Sequence, residues 1–149
     1  MPTLYRFALV LTLLCYPIAQ AKSSDFLGVV QYINKHHEEI KNKDLFHVSG
    51  VFQRCAGVFG AYGKYLPTDM RDMKLKFVNL SVESMRKSIN YLNMKKQNKP
   101  ELNLKQVDTA VRYFADIYYK SLETDQLNTG TIMKGNSATD MKMCMGWFK

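Results

Sequence analysis

Cysteine is scarce in this chain, at three residues, and so are proline, at four, and tryptophan, at one. No CxxC pair occurs, which excludes a thioredoxin-like redox motif and a zinc ribbon, and the lack of CxxCH excludes covalently attached haem. HExxH and GxSxG are missing, so two common hydrolase signatures have no footing. The glycines match neither GxGxxG after a strand nor GxxxxGK[ST], so there is no phosphate-cradling loop. No segment alternates with period two for long enough to make a strand, and no repeat or low-complexity linker marks a second domain. Acidic residues are the minority charge, with 13 Asp+Glu against 21 Lys+Arg.

Long apolar runs are also absent, apart from the one that opens the chain. Arg6 precedes an apolar stretch from Phe7 to Cys15, Pro17 breaks it, and Ala19-Gln20-Ala21 supplies the small-x-small pattern of a signal-peptidase site. The run falls short of the roughly 20 apolar residues of a membrane span. Cys15 follows the bulky Leu14, which argues against lipidation there. The expectation is a cleaved signal peptide, residues 1–21, and a single helical domain, residues 22–149, exported to the periplasm or secreted.

Of the three cysteines, Cys55 and Cys144 lie beyond that segment. In an oxidising compartment the expected reading is one disulfide between them. A reactive thiol at Cys55 would want an activating histidine or lysine, and only Arg54 adjoins it.

Apolar residues otherwise recur at threes and fours, the spacing of amphipathic helices. A first helix is expected from the Ser23-Ser24-Asp25 caps to about Lys41, and a second from Asp44 or Leu45 until Pro67 stops it. A third should start at Thr68 or Asp69, with Met70, Met73, Phe77, Leu80, Ser84, Ser88 and Tyr91 inward and Met85, Ile89 and Leu92 widening that face, and reach about Met94. Asn103 reads as the N-cap of a fourth, ended by Asn128 and Gly130, and Ser137 to Asp140 as the start of a short fifth. The expected fold is all-α: an up-down four-helix bundle with a short C-terminal helix pinned by Cys55–Cys144.

The stretch RCAGVFGAYG places Gly57, Gly60 and Gly63 in steps of three within the second helix. Glycine inside a helix costs about 1 kcal/mol relative to alanine, so three within about two turns need a compensation. Close packing of another helix is the expected one, with the C-terminal helix and its Trp147 and Phe148 as the neighbour. A bare face for an apolar ligand or haem is the alternative.

Metal chemistry finds little support along the chain. His36 and Glu39 share a helical face, but His37 points about 100° away from its neighbour, and two ligands do not make a zinc site. Met141, Met143 and Met145 surround Cys144 in the manner of a soft copper set, yet a spacing of two scatters them around a helix. No metal and no resident cofactor is expected.

Charge is unevenly placed. Between residues 71 and 105 there are nine basic residues and three acidic ones, while the chain on either side is nearly balanced. Arg71, Lys74, Arg86, Lys87, Lys95, Lys96, Lys99 and Lys105 form the candidate partner-binding set. They suit an anionic lipid or envelope-polymer surface, or an acidic protein, more than nucleic acid met outside the cell. The function expected is a non-enzymatic binding module built on that basic patch, with a carrier of a small apolar ligand or haem in the bundle core as the alternative.

Overall fold

A computed structural model describes residues 26–94 and 100–148. The expected signal segment, the Ser23–Asp25 caps and Lys95, Lys96 and Lys99 lie outside the described residues. Those described form six α-helices and no strand: α1 (Val29–Lys35), α2 (His37–Lys41), α3 (Leu45–Tyr65), α4 (Arg71–Asn93), α5 (Pro100–Thr129) and α6 (Gly135–Gly146).

Local signals set several of these boundaries. Asp44 caps α3, its carboxylate accepting from the Phe46 and His47 amides at 3.1 and 3.0 Å. Pro67 ends α3 at Leu66. Gly130, at φ +71, closes α5 in a backbone conformation that side chains disfavour. A single 3₁₀ turn, Thr68–Met70, leads into α4, so Thr68 and Asp69 do not cap it.

α3 is the hub, and every other α-helix touches it. Its centre carries mostly small or apolar residues, and Val51, Cys55, Ala56, Val58 and Phe59 are fully buried. α4 runs antiparallel to it, pairing Ser88 with Ser49 and Ser81 with Ala56. α5 runs parallel to it, and α6 returns antiparallel, tied by Cys55 and Cys144 with sulfurs 2.09 Å apart.

Four sequence expectations are corrected. The first helix starts at Val29 and breaks at His36, where no glycine or proline announces it; His36 takes φ −114° and ψ 34°, with its ring between those of Tyr32 and His47. Along α4, Ser84, Ser88 and Leu92 are buried as expected, joined by Ser81, and Phe77, Leu80 and Tyr91 are half-buried, whereas Met73, and Met70 just before the helix, are exposed. Small serines let α4 approach the glycines and alanines of α3, and their hydroxyls are satisfied on backbone carbonyls or each other. Asn103 sits inside α5, among whose described residues Pro100 comes first, and donates to Asn93 Oδ1 at 2.7 Å, latching α4 and α5 together there. α6 begins at Gly135, and Asp140 serves α1 rather than its own helix.

Candidate functional site

The glycine stripe is filled by protein, and by different helices from the one expected. A Cβ at Gly57 would overlap that of Phe114 on α5; one at Gly60 would meet Ser81 and Ala115, and one at Gly63 Val78. The partners are therefore α4 and α5, because Gly57 lies about 200° around the helix from Cys55, which faces α6. Trp147 and Phe148 pack on Phe52 and Phe59 instead, with ring centroids 5.6 to 6.0 Å apart.

Concave space lies elsewhere. A groove of about 460 Å³ opens between the last turns of α3, the first turns of α4, the loop after α5, and α6. Tyr62, Phe77, Met73, Met133, Met141 and Met145 line it, with Asp72 and Lys76 among the lining residues. Met141 and Met145 are one turn apart and both reach it; Met143 is on another side of α6, 39% exposed. Cys144 is committed to Cys55, so these thioethers form an apolar wall rather than a ligand set around a thiolate. Tyr62 fixes the floor by donating to the Ile132 carbonyl at 2.8 Å, and burial, with Asp125 next in weight, pushes its hydroxyl pKa well above the ordinary tyrosine value.

The basic residues do not share one role. Lys74 donates to the Leu66 carbonyl at 3.2 Å and so finishes α3. Lys87 rests 4.1 Å from the Phe148 ring centroid and 3.5 Å from Glu83. Arg71, Arg86 and Lys105 are exposed. On α4, steps of four, three, four and four put Arg71, Leu75, Val78, Val82 and Arg86 on one side; its three apolar members are 57%, 42% and 50% exposed, with Val78 at the edge that also borders Gly63 of α3. Ser84 and Lys87 have SxxK spacing, but the Ser84 hydroxyl is buried on the Leu80 carbonyl at 2.7 Å.

Two polar constellations escape a reading along the chain. Asp140 is buried and accepts from the Val29 and Val30 amides, both at 2.9 Å, and from the Tyr118 hydroxyl at 2.6 Å. It thus satisfies the first amides of α1 from another helix. Burial, then the Asp140 carboxylate, drives the Tyr118 pKa strongly upward. Arg54 places its guanidinium 3.6 Å from the Tyr32 ring centroid and 4.6 Å from that of Phe114. It donates to the carbonyls of Leu27 and Gly50, and burial lowers its pKa.

From Tyr32 the stack continues through His36 to His47, with successive centroids 4.7 and 4.4 Å apart. His47 therefore joins His36 and Glu39, which the sequence pairs by themselves.

No protein-family model, no curated protein and no solved structure matches the chain. Among the described residues no helix is long and apolar enough to cross a membrane.

Proposed function

We propose that this protein is a non-enzymatic carrier that takes an acyl-like, anion-headed molecule into the methionine-lined groove. The scaffold, in this reading, is an up-down bundle whose fourth side is supplied by the α1–α2 arm and α6. The observation that carries it is the groove's composition: four thioethers and two aromatic rings on the wall, with an ammonium group, Lys76, among its lining. Its volume falls in the range of ligand pockets, and flexible thioethers adapt to chains of varied shape. The tail would lie along Phe77 and Met141, with the anionic head towards Lys76.

Native mass spectrometry of the purified protein tests this, together with displacement of a fluorescent fatty-acid analogue. Met133→Glu, at an exposed position on the wall, should weaken binding of the analogue by about tenfold or more, the cost of facing a tail with a charge. Lys76→Gln should weaken the acid and spare its methyl ester. Absence of analogue binding, or indifference to Met133→Glu, would refute the reading.

A second reading follows from the outer face of α4. Leu75, Val78 and Val82, flanked by Arg71 and Arg86, suit an anionic membrane surface, to which apolar insertion and charge contribute together. Sedimentation with anionic vesicles should then fall steeply with salt, and neutral vesicles should leave the protein in solution. Export, inferred from residues 1–21, would bring either ligand within reach.

A further inference from the structure

We propose that His36, Glu39 and His47 form a zinc(II) site at the junction of α1, α2 and α3, with water as the fourth ligand. One ligand atom from each residue lies within 4.8 Å of the other two. The edge of a tetrahedron with metal bonds of 2.0–2.1 Å is about 3.3 Å, so side-chain rotations of roughly an ångström close the set. Glu39 is long and 48% exposed, while both imidazoles are 22% exposed and already stacked. Most of the movement therefore falls on the side chain that moves at least cost.

A carboxylate already orients one of the two imidazoles. Asp44 Oδ1 lies 2.9 Å from His47 Nδ1 and, as a carboxylate, can only accept. The ring proton is thus held on Nδ1, leaving the Nε2 lone pair for a metal, in the carboxylate–histidine–metal arrangement that orients imidazole ligands. Two imidazoles and a carboxylate suit zinc, whereas calcium and magnesium favour sets built from oxygen. Along the chain the site is invisible, because His47 follows a turn that includes Lys43 at φ +58.

Zinc titration of the purified, oxidised protein against a chromophoric chelator should find one ion per chain. Asp44→Asn should weaken it about 10- to 100-fold, the effect of removing an outer-shell carboxylate. His36→Ala and His47→Ala should weaken it further, and His37→Ala, on the exposed neighbour, should leave it unchanged. In the unsubstituted protein, zinc should shift the imidazole NMR signals of His36 and His47 and spare those of His37, a readout independent of how the variants fold. No zinc uptake, uptake indifferent to His36→Ala and His47→Ala, or shifts confined to His37 would each overturn the site.

Discussion

Alanine at the three glycines of the α3 stripe, Gly57, Gly60 and Gly63, should change stability with opposite signs within two helical turns. Each substitution gains about 1 kcal/mol from helix propensity and from a less disordered unfolded chain. What differs is the space for the added methyl group. At Gly57 it overlaps Phe114 Cβ and lies 3.0 Å from the backbone of Phe114 and Ala115, atoms that move only if α5 moves. Overpacking of this kind costs about 1–3 kcal/mol, more where backbone is struck, so the net loss is about 1–2 kcal/mol.

At Gly60 the nearest atoms are Ser81 Oγ at 3.4 Å and Ala115 Cβ at 3.8 Å, ordinary contact that leaves the propensity gain intact. At Gly63 the Val78 methyl stands at 3.0 Å and must yield a few tenths of an ångström, which makes the change nearly neutral. Urea unfolding followed by far-UV circular dichroism measures all three, with the disulfide intact. At typical urea slopes of 1–3 kcal/mol/M, Gly60→Ala should raise the midpoint by about 0.3–1 M and Gly57→Ala lower it by a comparable or larger amount. A Gly57→Ala protein as stable as the parent, or a Gly60→Ala protein destabilised by more than about 1 kcal/mol, would refute close packing as the reason for the stripe.

Replacing Cys55 and Cys144 together by alanine should cost up to about 4–5 kcal/mol by loop entropy, given their separation of 89 residues. An unfolding midpoint indifferent to reductant would contradict the bond. Asp140→Asn removes the charged acceptor of three donors and should cost about 2–3 kcal/mol, Tyr118→Phe about 1 kcal/mol, and the double variant less than their sum, in thermal unfolding; strict additivity would dissolve the network. Tyr62 and Tyr118 have folded pKa values raised above the ordinary 10.0, chiefly by burial. Their contribution to stability is therefore complete below about pH 10 and declines as pH rises, because the unfolded chain releases protons that the folded one retains. Tyrosinate absorbance from these two residues should appear only as the helical dichroism is lost; its appearance in a fully helical protein would count against their burial.

What was legible in the sequence was local. Asp44, Pro67 and Gly130 act on their own backbone neighbourhood, and each marks a helix end where its chemistry says it should. Cys55 and Cys144 were legible because, with Cys15 in the segment read as a signal peptide, only one pairing remains. Apart from the local 3₁₀ turn at Thr68–Met70, the errors concern residues that act across space. Ser81 looks like a solvent residue until α3 brings the Ala56 carbonyl to it. Asn103 and Asp140 have the chemistry of N-caps, but Asn103 is spent on Asn93 and Asp140 on α1. Gly57 adjoins Cys55 in the chain and faces away from it in the helix, which is why its neighbour is α5. His47 and the methionine groove depend on turns and crossings that no periodicity records.

The bond from Asp140 to the start of α1 also has a meaning in time. Its carboxylate leaves the ribosome 111 residues after Val29, an interval of about 5–20 s at ordinary synthesis rates. Cys144 follows Cys55 by 89 residues. Until then the two leading amides of α1 lack their acceptor, and Cys55, once made, lacks its partner. A chain that has not yet offered Asp140 and Cys144 holds neither the start of α1 nor the clasp on α3, so both fastenings wait on the same short helix.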